Sequence, residues 1–175
     1  MLTFVYVIST IFVIAVGAFY MNSVTKVNKQ DLKAKDAGSV IDTCLWDMNH
    51  GLKQIVQKLE EVGSAPELDN SKAALFGIGM TPDIQMILLK DVEARKEKVY
   101  EALLSSPLKD SEEIKKLQVK IDMAKNELIA AGLDYNRKVG IFNSTISHFP
   151  ASFIARRRSK RPKNLFIYYA NEDKQ

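Results

Sequence analysis

The hydrophobic pattern of the chain changes once, at about residue 22. From Leu2 to Met21 the side chains are mostly apolar and none is charged, and the first charged residue is Lys26. A helix needs about 20 mostly apolar residues to cross the hydrocarbon core of a bilayer. The pattern therefore predicts a transmembrane anchor over residues 1–21.

A cleaved signal peptide is the alternative for this segment. Such peptides begin with a positive region and have an apolar run of about 7–15 residues. Here no Lys or Arg precedes the run, and the run is longer, which favours a retained anchor. Lysines follow it at Lys26, Lys29, Lys33 and Lys35, and cytoplasmic flanks collect such residues. We expect a single-pass protein of a cell membrane, with its N-terminus outside and the bulk of the chain in the cytoplasm.

After the anchor, apolar residues recur at helical spacing. In a first stripe the spacing between consecutive apolar residues alternates between four and three. Gly63 and Pro66 follow the stripe and would end its helix. The stripe consists of Ile41, Leu45, Met48, Leu52, Ile55, Leu59 and Val62. We expect one helix from the membrane to about Val62, with a bend at Gly38-Ser39.

Two further helices follow from the same pattern. One starts at Thr81-Pro82 and stops before Pro107; its stripe is Ile84, Leu88, Val92, Val99 and Leu103. The other begins near Ser111-Glu112. Its stripe is Ile114, Leu117, Ile121, Ala124, Leu128, Tyr135, Val139, Phe142, Ile146 and Phe149.

Within the last stripe, every seventh position from 114 to 149 is apolar. A seven-residue repeat keeps one helix face towards a partner helix, as in coiled coils. We expect Tyr135, Phe142 and Phe149 to be the large packing residues of this seam. Asn136 and Asn143 lie at its margin, where an amide fixes register. Pro150 would end the helix.

The stripes together predict an all-α fold. The transmembrane helix is followed by an antiparallel up-and-down bundle of three to four long helices. We divide the chain into an anchor (1–21), a helical bundle (22–155) and a basic, aromatic C-terminal tail (156–175). With four helices the last one returns to the bilayer, whereas with three the tail lies at the far end.

The pattern at the end of the last stripe resembles that of the LemA family of bacterial membrane proteins. The residues that carry the resemblance keep the family's spacing throughout, and Ile154-Ala155 follow them: Tyr135, Asn136, Val139, Phe142, Asn143, Ile146, Phe149 and Pro150. The resemblance covers most of residues 1–155, and the tail extends past the usual family ending. It implies an anchor with its N-terminus outside, in the inner membrane, and a cytoplasmic helical bundle. The resemblance does not indicate any particular biochemical activity for this chain.

The tail carries a dense basic cluster. Six of eight consecutive positions are basic, and the aromatic residues Phe166, Tyr168 and Tyr169 follow: Arg156, Arg157, Arg158, Lys160, Arg161 and Lys163. A solvated, disordered tail is one interpretation. Contact with anionic lipid headgroups is the second. Nucleic-acid binding is the third, although no nucleic-acid-binding module accompanies the cluster.

The sequence offers little for catalysis or for a cofactor. It has no P-loop, no G-x-S-x-G and no H-E-x-x-H pattern. Cys44, Asp47 and His50 recur every three residues, but a structural zinc site needs four ligands. The lone Gly77-Ile78-Gly79 is typical of a loop. We therefore expect no catalytic, cofactor or metal site.

The function best supported by these patterns is a non-enzymatic, membrane-anchored scaffold or interaction module. Its partners would be the lipid bilayer and a protein that the sequence does not name. Two alternatives stay open: a membrane-tethered binder of nucleic acid or anionic lipid that acts through the tail, and an enzyme with a site hidden in the bundle. Self-association through the seam is a further open question.

Overall fold

The computed structural model describes residues 2–168, and these residues form helices and loops only. The prediction of an all-α protein is confirmed. Tyr169 and the rest of the tail lie outside the described residues. The helices are α1 (Leu2–Glu61), α2 (Pro82–Leu104), α3 (Glu112–Ser147) and α4 (Ala151–Arg157), with a 3-10 turn at Ala73–Leu75.

The chain divides into two compact units, and each contains parts that are distant in sequence. The first unit comprises residues 2–34 and 137–164. The second comprises residues 35–136 and the segment that starts at Leu165. Long helices and the C-terminal segment thus contribute to both units, and each unit has its own buried residues.

Helix α1 is long and apolar enough near its N-terminus to cross a membrane. An 18-residue window there has a mean hydropathy of 1.9, and only 6% of it is buried. The helix then continues through Gly38 and Ser39 to Glu61, so the expected bend does not interrupt it. Val62 follows the helix end and is exposed. The prediction that it belongs to the packed stripe is wrong, because the helical period no longer directs its side chain.

The second unit has a core built from the apolar stripes of α1, α2 and α3. Burying one large aliphatic side chain stabilises a fold by about 1.5–3 kcal/mol. The predicted stripe residues of this unit are buried except for Val62, Ile84 and Leu117, which are partly or well exposed. The buried members are Ile41, Leu45, Met48, Leu52, Ile55 and Leu59 of α1, Leu88, Val92, Val99 and Leu103 of α2, and Ile114, Ile121, Ala124, Leu128 and Tyr135 of α3.

Glycines in α1 allow close approach of α3. A Cβ atom added at Gly51 would lie 2.7 Å from Cγ1 of Ile121, and one at Gly38 would lie 3.4 Å from Cε2 of Tyr135. As the residue number rises along α1, the number of its neighbour on α3 falls. In this unit the two segments therefore run in opposite directions.

We predict that Gly51→Ala lowers stability by about 1 kcal/mol. Overpacking costs about 1–3 kcal/mol, and the new Cβ would press on Cγ1 of Ile121, a fully buried residue whose β-branched side chain is stiff. That cost exceeds the gain in helix propensity of about 0.5–1 kcal/mol. Urea unfolding of the full chain in detergent micelles, followed by far-UV circular dichroism, measures the change.

Gly140→Ala is the matched control. Gly140 lies inside α3, and its added Cβ would meet nothing within 4 Å. This variant should gain about 0.5–1 kcal/mol, because alanine costs less conformational entropy in a helix. Equal stability of the two variants would contradict the close approach at Gly51.

Candidate functional site

The first unit has a small apolar core that begins just after the apolar segment of α1. Val24 is three residues past Met21, where that segment ends. The core joins α1, the end of α3 and α4 through buried side chains: Val24, Val27, Phe142, Ile146, Ala151, Ile154 and Ala155. It therefore fixes α4 beside the first residues of α1 that follow the apolar segment.

The turn that leads from α3 into α4 is short. Helix α3 ends at Ser147, and Phe149-Pro150 is a cis peptide bond. The N–H of Ser152 donates to the carbonyl of His148 at 2.8 Å, which closes the turn. Pro150 lacks the backbone N–H that a residue inside a helix donates. It lies between α3 and α4, where we expected the helix to end.

The structure places the motif residues of α3 in different environments. Tyr135, Val139, Phe142 and Ile146 are buried, whereas Asn136, Asn143 and Pro150 are half-buried. Phe149, by contrast, is 83% exposed. Its predicted role as a packing residue of the seam is wrong, because α3 ends before it and the helical period no longer orients its ring.

The six basic residues of the predicted lipid-contact cluster divide into two groups. Arg156, Arg157, Arg158 and Arg161 are exposed. Lys160 and Lys163 instead reach the carboxylate of Asp31 on α1, and Nζ of Lys163 lies 3.0 Å from Oδ1. Nζ of Lys163 also lies 5.4 Å from the centroid of the Phe142 ring. The described part of the tail is therefore not a solvated, disordered segment.

Asp31 is a buried carboxylate with two cationic partners. Its side chain is 8% exposed. Burial alone would raise its pKa, but the hydrogen bonds and positive charges of Lys160 and Lys163 outweigh burial and lower the pKa below its usual value. Asp31 thus holds the start of the C-terminal segment against α1 in its ionised form.

Asn143 holds the backbone of the same segment. Its Nδ2 donates to the carbonyl of Lys163 at 2.9 Å, and its Oδ1 accepts from the N–H of Lys163 at 2.9 Å. One side-chain amide thereby satisfies both backbone polar groups of one residue, as a neighbouring β-strand would. We expected this amide to fix helix register, but in the structure its partner is the C-terminal segment.

Asn136 makes the same pair of bonds in the second unit. Its Nδ2 donates to the carbonyl of Phe166 at 2.7 Å, and its Oδ1 accepts from the N–H of Phe166 at 2.8 Å. The Phe166 ring is buried, and a Cβ added at Gly132 would lie 2.8 Å from its Cδ1 atom. A glycine on α3 thus provides the space for this ring.

The two asparagines are seven residues apart on α3, and the positions that they bind are three residues apart in the C-terminal segment. Asn136 binds Phe166, and Asn143 binds Lys163.

Two buried polar clusters in the second unit escaped the sequence analysis. In the first, the Asp42 carboxylate accepts from the N–H of Gly79 at 2.7 Å and from Nε2 of Gln85 at 2.7 Å. Gly77-Ile78-Gly79 lies in a loop, as predicted, and Asp42 fixes that loop.

In the second cluster, Asp91 pairs with Arg95 at 2.9 Å and with Lys72 at 3.3 Å. A sequence signal was present, because Gln85 and Arg95 occupy helical stripe positions of α2, three residues before Leu88 and three residues after Val92. A polar residue in an apolar stripe is typical of a buried hydrogen-bonding group.

The three residues considered for a metal do not meet. Cys44 is buried, whereas Asp47 and His50 are exposed. The His50 ring stacks on Trp46 with a centroid distance of 4.9 Å. Burial and the nearby carboxylates of Glu127 and Asp47 raise the pKa of Cys44 to about 11. Among residues 2–168, no group of three or more His, Cys, Asp and Glu side chains is placed to hold a metal ion.

The fold and this site define an all-α protein with an apolar N-terminal helix and a C-terminal segment held on α3 by asparagines. Residues 104–175 match the family model of the LemA family, which confirms the resemblance that the motif of α3 carries. The match does not include residues 1–103, over most of which we had also expected the resemblance. The match includes residues 156–175, which we had placed past the family's ending. No curated protein and no solved structure matches the chain.

We predict that Asn136→Ala and Asn143→Ala each loosen the C-terminal segment. Each variant loses two hydrogen bonds, and a loss of about 1.4 kcal/mol would raise the population of the locally open state about tenfold. Hydrogen–deuterium exchange of the N–H groups of Phe166 and Lys163 measures this. Asn126→Ala, at an exposed position of α3, is the control; unchanged exchange in the first two variants would contradict the pairing.

We predict a pH-dependent loss of stability in Asp31→Asn, of about 1–2 kcal/mol at neutral pH. The folded pKa of Asp31 lies below the unfolded value of about 3.9, so its ionisation stabilises the fold fully above about pH 4 and less as pH falls through the folded pKa. The difference from wild type should shrink in acid. Urea unfolding across pH measures it, and Asp36→Asn, at an exposed position of α1, is the control.

Proposed function

We propose that this chain is a non-enzymatic, membrane-anchored helical scaffold whose basic α4 surface contacts anionic lipid headgroups beside the anchor. The apolar start of α1 would span the membrane once. The lysines that follow it would keep the rest of the chain on the cytoplasmic side, with the N-terminus outside. Helices α1 to α3 would form an up-and-down bundle, an arrangement favoured by the opposite directions of α1 and α3 in the second unit.

One observation carries the lipid contact. The apolar core of the first unit seats Ile154 and Ala155 of α4 against Val24 and Val27 of α1. Those two valines come within six residues of Met21, where the apolar segment ends. If α1 spans the bilayer, α4 has to lie at its surface.

The charges of α4 suit an anionic surface. Two exposed arginines, Arg156 and Arg157, end the helix, and the exposed Arg158 and Arg161 follow it. Each basic residue near an anionic leaflet contributes about 1 kcal/mol to the attraction. Lys160 and Lys163 contribute less, since Asp31 already pairs with both.

Three buried reactive groups, those of Cys44, Asp42 and Asp91, support a non-enzymatic role. Cys44 has a pKa of about 11, so it stays protonated near neutral pH, and the thiol is a weaker nucleophile than the thiolate. The carboxylates of Asp42 and Asp91 are bound by neighbouring donors of the fold itself. These groups hold the structure together.

We predict that α4 gathers anionic lipid around itself. A fluorescent donor on Pro162→Cys, in a Cys44→Ser background, would report energy transfer to lipids in nanodiscs. Transfer to acceptor-labelled phosphatidylglycerol should exceed transfer to equally abundant labelled phosphatidylcholine. The excess should vanish in about 1 M salt, where the Debye length is about 3 Å, and in a variant with Arg156, Arg157, Arg158 and Arg161 changed to Gln.

The control for net charge neutralises four exposed lysines of the second unit. Lys90, Lys98, Lys116 and Lys120 change to Gln in that variant, which should keep the excess transfer. Equal transfer to both lipids in the unaltered chain, or an equal loss in the control, would contradict the proposal.

A further inference from the structure

The turn between α3 and α4 and helix α4 itself each expose one phenylalanine. Phe149 is 83% exposed and Phe153 is 57% exposed. Burying a Phe side chain is favourable by about 1.5–3 kcal/mol. The fold of this chain leaves both rings uncovered, although Ala151 and Ile154 of α4, close to them in sequence, are buried.

The position of these rings along α1 identifies what covers them. Phe149 and Pro150 line a groove of about 760 Å³ together with Phe19, Asn22 and Lys26 of α1. Phe19 belongs to the last turn of the apolar segment, and Lys26 is the first charged residue after it. Phe149 therefore lies at the level where α1 changes from apolar to charged.

The outer side of α4 has the composition of an interfacial helix. Phe153 is three and four residues before Arg156 and Arg157, so these side chains share one face. Ala151, Ile154 and Ala155 are buried on the opposite face. Aromatic rings favour the headgroup region of a bilayer, and arginines beside them meet lipid phosphates.

We propose that Phe149 and Phe153 insert into the interface of the bilayer that α1 spans and form a second membrane contact. This inference rests on the proposed function, because it requires α1 to be in the membrane. The occupant of the exposed aromatic surface is the lipid of the leaflet next to Lys26. Continuity with the apolar end of α1 and the adjacent arginines select lipid over a protein partner.

Tryptophan fluorescence of the full chain tests the insertion. In a Trp46→Phe background, Phe149→Trp and Phe153→Trp each supply a single reporter in nanodiscs that contain phosphatidylglycerol. Both tryptophans should emit at shorter wavelength than a tryptophan exposed to water. Lipids brominated near the headgroup should quench most of their emission. Ile78→Trp, which replaces a residue 98% exposed in the second unit, is the control and should stay unquenched by bromolipid.

A fourth reporter separates failure of this inference from failure of the anchor. Phe12→Trp lies in the apolar segment and should be quenched by deeply brominated lipid. Quenching at residue 12 without quenching at 149 or 153 would overturn the insertion and leave the anchor intact. Absence of quenching at all three positions would overturn both. A blue shift at 149 that grows with protein density, without bromolipid quenching, would assign the surface to a second copy and overturn the inference.

Discussion

The pairing of asparagine side chains with the backbone of the C-terminal segment is the interaction on which the site depends. A chain segment without helix or sheet partners has N–H and C=O groups that must find other donors and acceptors. Asn143 satisfies both groups of Lys163, and Asn136 satisfies both groups of Phe166. A side-chain amide can donate and accept through one planar group in this way.

Charge and packing add to the hydrogen bonds at each point of attachment. Near Asn143, the ionised Asp31 binds Lys163 and Lys160. Near Asn136, the Phe166 ring fills the space left by Gly132. The ordered segment leaves the neighbouring arginines exposed, so the structure itself separates basic residues that hold the fold from basic residues that face outward.

Periodicity predicted the helices well and their ends less well. The stripes predicted α1, α2 and α3 because apolar residues that recur at helical spacing fall on one face of a helix, which can then be buried. The period failed at Val62 and Phe149 for one reason, since each lies past a helix end. Burial at those positions depends on loop geometry, which no local pattern encodes.

The site itself was harder to predict than the fold. The sequence marked Asn136 and Asn143 by their spacing, but that spacing gave no indication that their partner lay some 20 to 30 residues further on. The six basic residues look alike in sequence, and only the buried Asp31 distinguishes two of them. Gln85 was visible as a polar residue in an apolar stripe, yet its partner Asp42 lies on another helix.

Because both asparagines bind main-chain atoms, the identity of the side chains at the bound positions is partly free. A substitution at Lys163 would keep both amide bonds as long as its backbone stays in place, whereas proline there would remove the N–H. The number of residues between positions 163 and 166 has less freedom, since each of these positions binds its own asparagine. Insertions and deletions between these two residues should be far more damaging than point substitutions, and the tail can diverge in composition while its length stays constrained.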